Sequence, residues 1–245
     1  MSLRTQRTDR VLRITLDRPD HGNRLNAEVL NDLADALAEA QSGPDPVSVV
    51  VLDAAGEDFS LGRERVPGAP TNPKAITAEF ELIQRTNEAL GSCTAVTVAA
   101  LHGRAEGAGL SLAARCDIVV AADDAVLSFP EIPHGIPPTI VLSHYRYVLP
   151  QHILGDLIFT GRELDGREAV AFGLAARHVP RAALADEVTA IANQVAGYDQ
   201  ASIQLVKRFL RMTTSLSPND APSTGIALYA VEMADRALAA TSSRR

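Results

Sequence analysis

Residues 101–138 read LHGRAEGAGLSLAARCDIVVAADDAVLSFPEIPHGIPP. How this stretch folds decides how the rest of the chain is assembled. It opens at the end of a buried strand, TAVTVAAL at 94–101, which is closed by a turn at His102 and Gly103. A small-residue turn, AEGAG, then runs into a helix, LSLAARCD, with no carboxylate on its first turn. CDIVVAA and AVLSF continue the strand pattern on either side of a short turn at Asp123 and Asp124, and Glu131 follows beside Pro130. Strands that alternate with helices in this way predict an α/β architecture.

Upstream, VLRITLD at 11–17 sets Leu12, Ile14 and Leu16 against Val11, Arg13 and Thr15, the pattern of a half-buried strand. Asn26 stands as N-cap before AEVLNDLADALAEA, where Val29, Leu30, Leu33 and Leu37 recur at helical spacing. VSVVVLD at 47–53 is a largely β-branched run, which predicts a strand covered on both faces. FSLGRER at 59–65 leads through the loop VPGAPTNP into a helix with Ile76, Phe80, Ile83 and Leu90 on one face. From about 139 the chain reads as mainly helical. With no exact repeat and no low-complexity linker, the expected organisation is a core domain over 1–190 and a C-terminal helical region over 191–245 serving oligomerisation.

The chain has 245 residues, 46% hydrophobic and 22% charged, which suits a globular protein with a sizeable core. A net charge of −7 and a pI near 5.4 argue against DNA or an anionic membrane as the main partner. A local basic patch could still hold a phosphate-bearing ligand. Only Cys93 and Cys116 are present, and the N-terminal MSLRTQRTDR carries no apolar segment, so a cytoplasmic location without disulfides is expected. Apolar runs are too short to span a bilayer, and the 6 histidines show no ligand-like spacing, so no metal is expected.

Two glycine-bearing turns, each following a buried strand, are the most informative features: Gly62 in FSLGRER, and Gly107 and Gly109 in EGAGLSL. Small residues admit close approach to a ligand, and N–H groups at a helix start carry positive partial charge. Two such groups aimed at one carbonyl oxygen would form an oxyanion hole. Taken alone, the same glycines are equally served by tight turns. EGAG lacks the full dinucleotide-binding pattern, and there is no phosphate-loop lysine.

LDRPDHGNRLN at 16–26, FSLGRER at 59–65, the stretch at 101–138 and TGRELDGREAVAFGLAARHVP at 160–180, in this order and spacing, resemble the crotonase superfamily of enoyl-CoA hydratases and isomerases over nearly the whole length. The resemblance implies a spiral of ββα units, assembly as a trimer or a dimer of trimers, and acyl-CoA thioester substrates of the kind met in fatty acid metabolism. It implies no cofactor beyond the coenzyme A carried by the substrate. It places the oxyanion hole at the main-chain N–H groups of Arg63 and Ala108. Gly62, Gly107 and Gly109 then shape the substrate site, while Arg24, Arg65 and the Arg63 side chain are the candidates for coenzyme A phosphates.

Hydratases of the family use two glutamates; the later one matches Glu131, and the earlier falls on Ser111. A serine is no general base at neutral pH, although it can hold a water or donate a hydrogen bond. Members that shift a double bond often keep only the later glutamate, so the residues favour isomerisation over hydration, whereas hydratase is the commoner role in the family. Glu131 is the expected acid/base in either case. Alternatives are hydrolysis of a thioester or a β-diketone, for which Ser111 lacks a visible histidine partner, and a decayed coenzyme A-binding or RNA-binding protein. Glu106, which could stand in as a replacement acid, is expected to be a solvated surface carboxylate; His134, which could tune Glu131 or line the acyl pocket, is expected to be a packing or surface residue, and Asp117 a structural cap. The family's closing helix is not matched after TGIALYAVEMADRALAA, where TSSRR follows, so a lid over the adenine side that is shortened or supplied by a neighbouring chain is expected.

Overall fold

The computed structural model describes residues 2–42, 45–65 and 72–242, the side chains of 239–242 excepted. Most of the VPGAPTNP loop and the last three residues of TSSRR lie outside the described residues. The chain divides into two units after Ala196.

The larger unit is built on two sheets. Strands β1 (Leu3–Thr8), β2 (Val11–Leu16), β3 (Val49–Ala54), β4 (Val96–Leu101), β6 (Ile118–Ala122) and β9 (Arg177–Val179) form a six-stranded sheet in the order β1-β2-β3-β4-β6-β9. Only the β1–β2 pair is antiparallel. Strands β5 (Arg104–Glu106), β7 (Val126–Ser128) and β8 (Leu164–Asp165) form a second sheet of three.

CDIVVAA and AVLSF, adjacent in sequence, therefore belong to different sheets: β6 lies in the large one and β7 in the small one. The turn between them is closed by Ala125 N–H to Ala122 C=O at 3.0 Å, and Val126 N–H then bonds Gly103 C=O at 2.7 Å. β4 and β6 are each followed by a strand of the small sheet and then a helix, as in β4, β5 and α3 (Gly107–Ala114), and the loop after β3 makes the same step through the single bridge Ser60–Ala105. This is the ββα spiral expected from the sequence.

The sequence patterns have simple causes in the packing. Leu12, Ile14 and Leu16 of β2 point into the main core, where Leu33 and Leu37 of α1 (Ala27–Gln41) are fully buried. Asn26 caps α1 as predicted, its Oδ1 accepting the Val29 N–H at 3.0 Å. In β3, Val50 and Leu52 join that core, while Val49 and Val51 join a second one beneath α7 (Leu184–Ala196) with Leu184, Val188 and Ile191. The division at 196 rather than 190 follows, because α7 to its end packs on the sheet.

Helix α2 (Pro73–Ser92) buries Ile83 and Leu90, whereas Ile76 and Phe80 on the same face open onto a cavity. A 3₁₀ turn at Ile132–His134, α4 (Thr139–Tyr145), α5 (Gln151–Thr160) and α6 (Gly166–Ala171) complete the unit. The smaller unit holds α8 (Gln200–Thr213) and α9 (Ala221–Ser242). Asp199 caps α8 by accepting Ser202 N–H at 2.8 Å, and Arg236 of α9 ties back to Asp199 at 2.6 Å. Among the described residues no helix is long and apolar enough to cross a membrane.

Candidate active site

A cavity of about 750 Å³ lies between α2, the start of α3, the loop after β3 and the segment from Pro130 to Val141. Its wall is assembled by backbone pairing. Ser60 N–H bonds Arg104 C=O at 3.1 Å and Ser60 C=O accepts Glu106 N–H at 2.9 Å, a bridge that lays the first glycine loop along β5. Gly62 follows with φ +78, and a Cβ there would stand 3.0 Å from Glu106 C=O and 3.8 Å from Ala108 N. The two glycine turns thus touch, and only a residue without a side chain fits between them.

Arg63 pairs with Leu25 in a one-residue parallel bridge: Leu25 N–H bonds Gly62 C=O at 2.9 Å and Glu64 N–H bonds Leu25 C=O at 2.8 Å. Alternation along an extended chain then turns the Arg63 N–H the other way. The Ala108 N–H belongs to the first turn of α3, where no intrahelical acceptor exists, and the Glu106 side chain makes no cap to consume it. Two main-chain donors therefore border the cavity with no partner required of them by the fold.

Glu131 stands just before the 3₁₀ turn, its C=O accepting His134 N–H at 3.0 Å and Ile136 N–H at 2.9 Å. Its carboxylate is laid against Gly107, which has φ +46, and a Cβ on Gly107 would collide with Oε1. Oε2 is buried with no hydrogen-bond partner in the protein. Burial pushes this carboxyl above its usual range; nearby Glu106 pushes the same way, while its own main chain, Arg65 and His134 oppose. A half-buried carboxyl with a raised pKa and a spare lone pair is suited to taking and returning a proton.

Arg24, Gly62, Arg63, Arg65, Gly107, Ala108, Ser111 and Glu131 all line the cavity. Gly109 does not; a Cβ there would meet Ser60 at 2.6 Å, so this glycine lets α3 abut the first loop. The Arg63 side chain ion-pairs with Glu79 and stacks 5.2 Å from the Phe80 ring. Arg24 donates to Leu61 C=O at 2.6 Å and so braces the loop. Arg65 is exposed at the cavity rim.

Glu106 overturns the expectation of a solvated surface carboxylate: its side chain is 16% exposed, lines the cavity and accepts Arg104 Nε–H at 2.7 Å, while Arg104 also pairs with Glu163. Its position at the end of β5 turns it inward. His134, exposed, engages Pro130 C=O through Nδ1 at 2.6 Å. Asp117 has the structural role expected, accepting Thr97 N–H at 2.7 Å and Thr97 Oγ–H at 2.9 Å to tie β4 to β6.

Ser111, 8% exposed, has no hydrogen-bond partner for Oγ. The neighbouring Tyr145 hydroxyl gives its proton to Leu110 C=O at 3.1 Å, and its oxygen is within reach of the Ser111 hydroxyl. Asn87 was not singled out from sequence, although it lies in the cavity wall and is 3% exposed with Oδ1 unpartnered. The available signal was its spacing from Ile83 and Leu90, which puts a polar residue on an apolar helix face. Among the described residues no group of three histidine, cysteine or acidic side chains could hold a metal ion.

A sequence profile of enoyl-CoA hydratase/isomerase matches residues 6–229. A probable enoyl-CoA hydratase of Mycobacterium bovis is 33% identical over 204 residues, covering 82% of this chain and 78% of its own. Carnitinyl-CoA dehydratase of Escherichia coli is 27% identical over 229 residues, covering 90% of this chain and 84% of its own. Among solved structures, an enoyl-CoA hydratase of Mycobacterium smegmatis, 24% identical, superposes with a TM-score of 0.91 over 100% of this chain and 97% of that one. At that identity the superposition speaks for the fold.

Proposed function

The chain belongs to the enoyl-CoA hydratase/isomerase family, and from that premise we propose that it is an enzyme taking an acyl-CoA thioester into this cavity and performing enolate chemistry with Glu131 as its acid/base. The thioester oxygen sits between the N–H groups of Arg63 and Ala108, where charge developing on an enolate oxygen is met by fixed dipoles. Glu131 removes a proton from C2, and the carbon–oxygen dipole held in the hole takes up the electron pair. Returning the proton at C4 moves the double bond. The coenzyme A moiety comes with the substrate, and no further cofactor enters the step.

The observation that carries this reading is the placement of the Glu131 carboxylate on Gly107, the residue preceding the Ala108 donor. Glu106 and Glu64 also line the cavity but are ion-paired with Arg104 and Arg18, whereas Glu131 keeps an unpartnered oxygen; one such base suffices for isomerisation, which we therefore place ahead of hydration. Hydration is the second reading, favoured by the unengaged Ser111 Oγ, which could hold the attacking water. Hydrolysis through Ser111 has less support, since no histidine hydrogen bond reaches Oγ among the described residues.

The test is mass spectrometry of matched 2-enoyl- and 3-enoyl-CoA esters incubated with the protein in deuterated water. Deuterium incorporation with double-bond migration is the expected outcome. Net addition of water would replace isomerase by hydratase, and binding without exchange at any carbon would sink the enzymatic reading.

A further inference from the structure

Two side chains in the cavity wall are more than nine-tenths buried and yet unmet by the protein: Asn87, 3% exposed, and Ser111, 8% exposed. Asn87 Oδ1 has no hydrogen-bond partner in the protein, Ser111 Oγ has only the Tyr145 hydroxyl beside it, and both residues line the cavity. They belong to α2 and α3, which pack on each other. Apolar residues, among them Ile83, Ile140 and Val141, share the cavity wall with them.

Two other polar side chains of α2 and α4 are already satisfied. Thr86 Oγ–H reaches Leu82 C=O at 3.0 Å, and the Tyr145 hydroxyl reaches Leu110 C=O at 3.1 Å. Asn87 thus places an amide on a helix face shared with buried Ile83 and Leu90. An entirely hydrocarbon acyl chain would cover two polar atoms and offer them nothing, a loss of roughly tenfold in binding for each group left unmet.

We propose that Asn87 and Ser111 form a hydrogen-bonding subsite in the acyl pocket, and that the substrate's acyl chain carries a hydroxyl group seated there. A hydroxyl matches the pair, donating to Asn87 Oδ1 and accepting from the Ser111 hydroxyl. The inference rests on the acyl-CoA reading above and narrows its substrate class. It gives Ser111 a positioning role that does not require it to act as a base.

Binding of non-reacting probes tests the subsite apart from catalysis. Saturated hexanoyl-CoA and its 4-, 5- and 6-hydroxy derivatives would be titrated calorimetrically against wild type, Asn87→Leu and Ser111→Ala. The expected result is that one hydroxylated isomer binds wild type at least about tenfold more tightly than hexanoyl-CoA. Asn87→Leu should abolish or reverse that preference, Ser111→Ala should weaken it, and affinity for free coenzyme A should be the same in all three proteins.

Equal affinity of all four esters for wild type would overturn the subsite and leave the acyl-CoA reading standing. A preference that survives in Asn87→Leu would also overturn it, since the hydroxyl is then recognised elsewhere. Failure of every ester and of coenzyme A to bind wild type would remove both readings together. Asn87→Leu replaces an unmet amide by an apolar group of similar shape, so its thermal midpoint should equal or exceed that of wild type, which separates loss of recognition from loss of fold.

Discussion

In the chemistry proposed for it, Glu131 is governed by a conflict between burial and charge. The folded protein holds its proton more firmly than the unfolded chain, where the ordinary value is 4.5. Because the base must be ionised to remove a proton, the acid limb of kcat/KM should lie above that value. The charged groups facing it are Glu106, Arg65 and His134, and Glu106 is the one that raises it. Glu106→Gln should therefore move the acid limb to lower pH, measured as a kcat/KM profile; an unmoved limb would show that Glu106 does not feel Glu131. Glu131→Gln should lose most turnover, about 10²–10⁴-fold, while substrate binding measured by calorimetry persists. The same carboxyl contributes stability that is present below 4.5 and lost as pH rises through its raised folded value. The thermal midpoint of Glu131→Gln should accordingly gain on wild type between pH 4 and 7, and a constant difference would contradict a raised pKa. Glu131, Arg63 and Ala108 were legible because each lies at a fixed place in a motif. Asn87 and the inward turn of Glu106 were not, because which way a side chain points is settled by the partner element and not by the local pattern.

At the scale of elements, the site depends on the first turn of α3 fitting against the Pro130–Ile136 segment. Gly107 is where the fit is tightest: its φ of +46 is unfavourable for any L side chain, and a Cβ would strike the Glu131 carboxylate. Gly107→Ala should therefore displace the base, costing on the order of 10²-fold in kcat for a shift near 1 Å, with about 1–2 kcal/mol of stability lost to backbone strain. A kcat within a few-fold of wild type would show that the carboxylate relocates freely. Elements with internal periodicity were readable in advance: β2 by its alternation, β3 by its apolar run, α1 by its stripe and cap. Strands β1, β5, β8 and β9 were missed for a common reason. β1 buries only Leu3 of its six residues, β5 and β9 have three residues and β8 has two, so each exists through pairing with another strand, the adjacent β2 for β1 and a distant one for β5, β8 and β9. The small sheet is built entirely of such segments apart from β7, which is why it was invisible although the site hangs from it.

At the scale of the molecule, the two units differ in how they spend their apolar residues. The larger unit buries both faces of its central strands, in the main core and beneath α7. The smaller unit leaves Val206 and Leu210 of α8 at 56% and 59% exposed, and Ile226 and Tyr229 of α9 at 71% and 62%. Exposed apolar side chains of this size, clustered on two helices, mark a surface that is covered in a working assembly. We propose that they are covered by further copies of this chain, in a trimer or a dimer of trimers; closed rings use one patch against another and leave no such surface free. Light scattering on wild type should give a mass of three or six chains of 26.0 kDa. Leu210→Glu combined with Tyr229→Lys should lower that mass while leaving the far-UV spectrum unchanged, because neither side chain contributes to a core described for its own unit. If the double variant keeps the wild-type mass, the association surface is elsewhere; if wild type is itself one chain in solution, the apolar residues of α8 and α9 need a different partner.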